Sequence, residues 1–289
     1  MDNAPDRYAV IGHPVAHSQS PFIHGEFARQ TGQHIEYGRV ECAPDGFESC
    51  VSAFATTRAP GQGRARGCNV TIPFKFEAAR LAVRVSARAT LAQAANVLCF
   101  DREGWSADNT DGVGLIRDVQ RSANCVLDRR RVLLIGAGGA AAGVLGPLIE
   151  QRPALIVLAN RTLQRALALV ERHQAMARSH QVQLKASGLG DCGEAFDVVL
   201  NSSASSVQGA PIPVADRVLA PQSLAIDFMY GAAAQPFLRW AESQGANSRD
   251  GLGMLVEQAA EAFWLWRGVR PQTEPVLAAL RARLATGSP

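Results

Sequence analysis

The sequence predicts an α/β fold of two domains with a parallel sheet. Three observations carry this. The chain has 289 residues, against ~150 per domain. Short apolar segments alternate with helical ones along most of its length, which implies strands covered by helices. A glycine-rich turn joins a strand to a helix near residue 136.

The elements follow in order. Arg7 to Ile11 is a short apolar strand. Ser20-Pro21 opens a helix through about Gln30, with proline at a first-turn position where its missing N–H costs nothing. Ile35 to Glu41 is a strand, Asp45 to Phe54 a helix and Ala59 to Gly67 a loop. Cys68 to Ile72 is a strand stopped by Pro73; Phe74 to Leu81 and Ser86 to Ala94 are helical. Asn96 to Phe100 and Trp105 to Ala107 form a hairpin around Arg102-Glu103-Gly104, and Asp111 to Ser122 is a helix. Beyond it, Arg131 to Ile135, Leu155 to Ala159, Asp197 to Leu200 and Leu224 to Asp227 are strands. Gly138 to Gln151, Thr162 to Met176, Gly253 to Trp266 and Thr273 to Leu284 are helices. A domain boundary is expected near Asn109 to Asp111, giving one domain over 1–110 completed by 252–289, and a second over 111–251.

Composition narrows the function classes. Hydrophobic residues at 47% and charged residues at 19% exclude a disordered chain. A net charge of +3 gives no reason to expect nucleic acid as a partner. The six cysteines include no C-x-x-C pair, so a reduced, cytoplasmic chain without disulfides is expected. No signal peptide is evident in MDNAPDRYAV. Val132 to Ile149 is uncharged, yet its glycines and Pro147 read as a buried strand, turn and helix rather than a membrane span. His13 and His17 are four apart, but Pro14 keeps them off one helical face, and no metal site is expected. Only two of the 29 basic residues are lysine, Lys75 and Lys185. Lysine can titrate near neutral pH where arginine cannot, which makes each a candidate proton carrier.

Arg131 to Ala141 reads R-V-L-L-I-G-A-G-G-A-A, a G-x-G-x-x-A pattern between strand and helix. Gly136 allows the tight turn, Gly138 lets the backbone approach a pyrophosphate, and Ala141 permits close helix packing. The helix N-terminus offers free N–H groups to phosphates. The pattern predicts a Rossmann-type, dinucleotide-binding second domain. An NAD site places an acidic residue after the second strand to hold the ribose 2′-OH. Here that strand ends in Asn160-Arg161-Thr162, with Arg165 a turn later and no carboxylate. Two guanidinium groups suit a 2′-phosphate, hence NADP. A solvated helix start with ordinary surface arginines is the other reading.

Four polar segments sit at strand ends or helix starts in the first half. They are His17-Ser18-Gln19-Ser20-Pro21, Asn69 to Lys75, Ala95-Asn96-Val97 and Asp108 to Gly112. A sheet opens its binding crevice at such places. Their hydroxyls, amides, ammonium and carboxylates suit a small polyhydroxylated acid. Taken singly, Ser20 and Asp111 fit helix caps, Thr71 and Asn96 fit turn residues, and Lys75 fits a solvated side chain. No G-x-S-x-G or Cys/His pairing points to acyl transfer.

With these motifs in this order the chain resembles the shikimate dehydrogenase family over about Tyr8 to Leu280. The likeness rests on Ser18-x-Ser20-Pro21, Asn69-x-Thr71-x-Pro73-Phe74-Lys75 and Asn109-Thr110-Asp111-Gly112. It continues in Gly136-Ala137-Gly138-Gly139-Ala140, in Asn160-Arg161-Thr162 with Arg165, and in Asp250 to Gln258. The resemblance implies an N-terminal α/β substrate domain, a Rossmann-type NADP domain and a cleft separating the two. It implies that Ser18 and Ser20 bind a substrate carboxylate, with Tyr230 nearby. Thr71, Asn96, Asp111 and Gln258 would hold hydroxyls and the reacting oxygen, and Lys75 paired with Asp111 would be the acid/base. Phe228 and Gly251 would line the nicotinamide side. Expected partners are shikimate or 3-dehydroshikimate and NADP, with no membrane or nucleic acid, in a monomer or homodimer.

The chain departs from the family pattern in places. Gln19 stands where lysine is usual, removing a cation near the carboxylate. Val97 replaces a common threonine, Phe228 a frequent methionine, Ala107 a glycine and Ala87 a glutamate. A quinate-using paralogue and a non-catalytic NADPH-binding sensor are the rival readings. The Asn160-Arg161-Thr162 segment argues against the first, and the presence of both Lys75 and Asp111 against the second.

Overall fold

The computed structural model describes residues 4–203 and 212–286. The chain divides into two compact units, Met1–Gly114 with Val256–Pro289, and Leu115–Leu255.

In the first unit β1 (Asp6–Gly12), α1 (Ser20–Thr31), β2 (Ile35–Glu41), α2 (Phe47–Thr56) and β3 (Ala65–Val70) alternate as expected. Pro21 lies in the first turn of α1, and Gly32 closes the helix in the left-handed conformation that glycine adopts without strain. Then follow α3 (Lys75–Leu81), β4 (Arg84–Val85), α4 (Ala87–Ala92), β5 (Val97–Asp101), β6 (Gly104–Asp108) and α5 (Asp111–Arg117). The sheet order is β2-β1-β3-β5-β6-β4. β1 runs parallel to β2 and β3, while β5 is antiparallel to β3 and β6. Ile11, Phe47, Val51, Cys68, Phe74 and Leu98 fill the core on one face. Complete burial of such a side chain stabilises the fold by about 1.5–3 kcal/mol.

The second unit holds β7 (Arg131–Ile135), α6 (Gly139–Glu150), β8 (Leu155–Ala159), α7 (Leu163–Ser179), β9 (Gln183–Ser187) and β10 (Phe196–Asn201). It ends with β11 (Leu219–Asp227), α8 (Gln235–Ser243) and β12 (Asn247–Arg249). All strands are parallel in the order β12-β11-β10-β7-β8-β9, with β7 where the order reverses. That is the doubly wound arrangement, and ligands bind outside the carboxyl ends of strands at its switch point. The last helices are α9 (Leu252–Arg267) and α10 (Glu274–Ala285).

Two expectations are corrected. Cys42 and Cys50 form a disulfide with their Cα atoms 6.0 Å apart. The chain leaves β2, turns at 43–46 and enters α2, bringing Cys50 back over Cys42; a spacing of eight residues gave no sign of this. Cys68, Cys99, Cys125 and Cys192 are free. The helix expected over 111–122 changes at Asp118 into a π turn, Asp118–Ser122. The wider turn places Asp118 fully inside, where the Arg249 guanidinium bonds it at 3.2 Å. β4, β9, α8 and β12 have no counterpart in the sequence reading. β4 and β12 are too short for a periodic signal, and β9 (QLKAS) is half polar. Among the described residues no helix is long and apolar enough to cross a membrane.

Candidate active site

In the first unit, strand direction gathers the polar segments. β1 ends at Gly12, β3 at Val70 and β6 at Asp108, while antiparallel β5 begins at Val97. The register pairs Ile11 with Val70, and Val97 with both Asn69 and Asp108. The segments carrying Ser18, Thr71, Asn96 and Asp111 therefore leave the same end of the sheet. Gly12 is required there, because a Cβ would lie 2.3 Å from the Thr71 methyl.

Lys75 is the first residue of α3, set there by a turn in which the Phe74 N–H donates to the Thr71 carbonyl at 3.0 Å. A cation at a helix N-terminus opposes the helix dipole, so α3 gains nothing from it. Its Nζ lies 2.5 Å from Asp111 Oδ2, with the side chains 16% and 6% exposed. Asp111 opens α5, where the dipole favours its negative charge. Its other oxygen, Oδ1, accepts from Asn96 Nδ2 at 2.9 Å.

Asn96 is the hub. Its Nδ2 also reaches Thr110 Oγ1 and Gln258 Oε1, each at 2.9 Å, and its Oδ1 accepts from the Thr110 N–H at 2.8 Å. Asn96, Thr110, Asp111 and Gln258 are all buried. The Ala95 N–H donates to the Lys75 carbonyl at 2.8 Å, tying the lysine to this hub. Buried polar groups held this way are rigid, which suits a site that must orient hydroxyls. Thr110 is a further member of the hub, and its place between Asn109 and Asp111 is the only sign of this in the sequence.

A charged network braces the hub. The Arg88 guanidinium binds Asp108 through Nε at 2.7 Å and Nη2 at 2.8 Å, and Glu261 through Nη1 at 3.4 Å. Glu261 lies three residues beyond Gln258 on α9, so the network fixes the helix that carries Gln258. Burial pushes the Asp108 carboxyl up, but the Arg88 guanidinium and the Ser86 hydroxyl outweigh it and hold the group below its ordinary value of 3.8. Ser18 and Ser20 form a separate pair. Ser18 Oγ donates to Ser20 Oγ at 3.1 Å and accepts from the Ser20 N–H at 3.3 Å.

In the second unit a glycine-rich turn leads from the end of β7 into α6. Gly136 has φ +106°, and a Cβ there would lie 2.7 Å from Ser202 Oγ. Gly138 has the N-cap position of α6, with no side chain bonded to the helix amides. Among the described residues, a Cβ at Gly138 would meet nothing within 4 Å. Gly139 and Ala140 open the helix, and Ala141 behind them is buried. The free amides and the space beside Gly138 fit a pyrophosphate. At the end of β8, Asn160 Nδ2 caps the turn by donating to the Thr162 carbonyl at 2.9 Å. Arg161 and Arg165 are exposed at the start of α7. No carboxylate stands beside them in the 160–165 segment, and the donor set fits a 2′-phosphate.

Phe228 and Gly251 also meet in this unit. A Cβ on Gly251 would lie 2.3 Å from the Phe228 carbonyl oxygen. Tyr230 follows β11 and precedes a short helical turn at Gly231–Ala233. The structure thus joins Lys75, Asp111, Asn96 and Gln258 in one cluster. It joins Ser18 with Ser20, Gly136 with Ser202, and Phe228 with Gly251.

Comparison with known proteins places these clusters in context. "Shikimate dehydrogenase substrate binding domain" matches residues 10–98, "Shikimate / quinate 5-dehydrogenase" 118–212, and "Shikimate 5'-dehydrogenase C-terminal domain" 251–281. The shikimate dehydrogenase (NADP(+)) of Methylibium petroleiphilum is 62% identical over 96% of this chain and 95% of its own. An Ael1 enzyme from Pseudomonas putida superposes with a TM-score of 0.82 at 43% identity, covering 95% of this chain and 98% of its own. Shikimate 5-dehydrogenase of Thermus thermophilus, solved with NADP(H) and shikimate, has a TM-score of 0.80 at 28% identity, over 96% of this chain and 99% of its own. On this identity and coverage, the chain belongs to the shikimate dehydrogenase family.

Proposed function

We propose that this chain catalyses the reversible, NADPH-dependent reduction of 3-dehydroshikimate to shikimate, a step toward chorismate and the aromatic amino acids. The observation that carries the reading is the largely buried Lys75–Asp111 pair at 2.5 Å, locked to Asn96 and Gln258. Residues 1–110 with 252–289 form the substrate domain in this reading, and 111–251 the NADP domain.

The 136–140 turn, Asn160, Arg161, Thr162 and Arg165 would hold NADPH, Phe228 and Gly251 would line its nicotinamide side, and the bound cofactor would supply the hydride. Ser18 and Ser20 bind the substrate carboxylate, and Tyr230 is carried as a substrate-binding residue from the family resemblance. Thr71, Asn96 and Gln258 accept and donate hydrogen bonds to the ring hydroxyls. Negative charge grows on the C3 oxygen as the carbonyl is reduced, and Lys75 Nζ delivers a proton to it. Asp111 keeps the ammonium aimed and balances its charge. In the reverse direction Lys75 takes the hydroxyl proton. The enzyme is read as cytoplasmic; the four free thiols support this, and the Cys42–Cys50 bridge is uncommon for that compartment.

The test is turnover of shikimate and quinate with NADP and with NAD, followed by absorbance of the reduced nicotinamide. Shikimate with NADP is expected to be the fastest pair. No turnover of shikimate, or a preference for NAD or quinate, overturns the reading.

A further inference from the structure

Strand β2 is the outermost strand of its sheet. Its residues 37, 39 and 41 alternate onto one face. Each of the three holds part of the substrate end of that sheet. The Tyr37 hydroxyl donates to Asn69 Oδ1 at 2.6 Å. Arg39 donates to the Ser18 carbonyl twice, through Nε at 3.0 Å and Nη2 at 2.7 Å. Glu41 Oε1 lies 3.2 Å from His13 Nδ1, at the start of the same loop.

Arg39 differs from its neighbours in what it fastens. A two-point bond from a rigid guanidinium fixes the Ser18 peptide, and Ser18 in turn is bonded to Ser20. Gln19, between the serines, is neutral and turns its Nε2 to the His17 carbonyl at 3.3 Å. His24, on α1, stacks on Tyr37 with ring centroids 4.3 Å apart. Burial lowers its pKa to about 3, so it adds no charge. The Glu41 carboxylate is turned to His13.

We propose that Arg39 is the positioning cation of the carboxylate subsite: it holds the Ser18–Ser20 loop in its binding geometry and supplies the positive charge that Gln19 does not. This rests on the proposed function, in which the two serines receive a carboxylate. Arg39 acts through Ser18 and through its field rather than by taking part in the chemistry.

The test compares Arg39→Gln and Arg39→Lys with the parent enzyme on shikimate and on its uncharged methyl ester. Arg39→Gln is expected to raise KM for shikimate about tenfold, as loss of a charged hydrogen-bond donor does. Its kcat and KM for NADP should stay within roughly twofold. On the methyl ester the same substitution should change KM by less than about threefold, because the charge no longer has a partner. Arg39→Lys, which keeps the charge but not the two-point bond, should recover part of the loss, and raised salt should weaken shikimate binding more in the parent than in Arg39→Gln. An unchanged KM in Arg39→Gln overturns the inference. So does an equal loss on acid and ester, or no recovery in Arg39→Lys, since both describe a purely structural arginine. A parent enzyme inactive on shikimate overturns the proposed function and this inference together, whereas an active parent with an insensitive Arg39→Gln overturns this inference alone.

Discussion

Replacing Lys75 by alanine removes the ammonium 2.5 Å from Asp111 and leaves the rest of the cluster bonded. Asp111 keeps its bond from Asn96 Nδ2 at 2.9 Å and its place at the start of α5. The helix dipole there offsets about 0.3–1 kcal/mol of the lost pairing. α3 is relieved of a cation at its positive end. Asp111 is left a buried carboxylate without its cation, so the net stability cost is about 3 kcal/mol, which lowers Tm by roughly 6–12 °C at about 2–4 °C per kcal/mol. The catalytic cost is separate. A positioned general acid contributes about 10²–10⁴ in rate, or about 3–5 kcal/mol of barrier. Steady-state assay of Lys75→Ala should show kcat reduced by that factor, with NADPH affinity by fluorescence titration unchanged. Lys75→Arg keeps the charge but cannot release its proton near neutral pH, so it should lose a comparable factor. Turnover of Lys75→Ala within about tenfold of the parent refutes the assignment. Full activity in Lys75→Arg refutes the proton-transfer role and leaves only an electrostatic one.

Removing either Arg161 or Arg165 should raise KM for NADPH about tenfold and leave KM for NADH nearly unchanged, as expected for a charge-assisted bond to a 2′-phosphate. Equal effects on both cofactors would exclude that contact. Gly138→Ala should lower Tm of the ligand-free protein only slightly, since the new Cβ meets nothing within 4 Å among the described residues and alanine is the poorer N-cap, yet weaken NADP binding measured by calorimetry. Gly136→Ala should instead lower stability by about 1–3 kcal/mol, because its φ of +106° strains any side chain. Asp108→Asn should cost about 1–3 kcal/mol at neutral pH in denaturant titrations. The Asp108 carboxyl lies below its ordinary 3.8 in the folded protein, so its stabilisation is full above that value and fades as pH falls through the folded pKa. The gap between the parent and Asp108→Asn should close in acid; a gap that persists there would rule out the charge as its source.

The sequence by itself determined the strands and helices that carry the site, because period and punctuation are local properties. Pro21 marks the start of α1, and the R-V-L-L-I-G run marks β7 and its turn. It also determined the chemistry on offer, since a rare lysine, an Asp-opened helix and two arginines after β8 are legible as residue types. Tertiary structure alone decided which of these meet. Nothing local to Asn96 shows that its single amide would bond Thr110, Asp111 and a glutamine 162 residues away. The Cys42–Cys50 bridge and the bond from Arg39 to Ser18 depend on how β2 packs beside β1. The short β4 and β12 are strands only because a neighbouring strand supplies their hydrogen bonds. Contacts between distant segments are set by burial and hydrogen-bond satisfaction across the whole unit, and no stretch of a few residues records them.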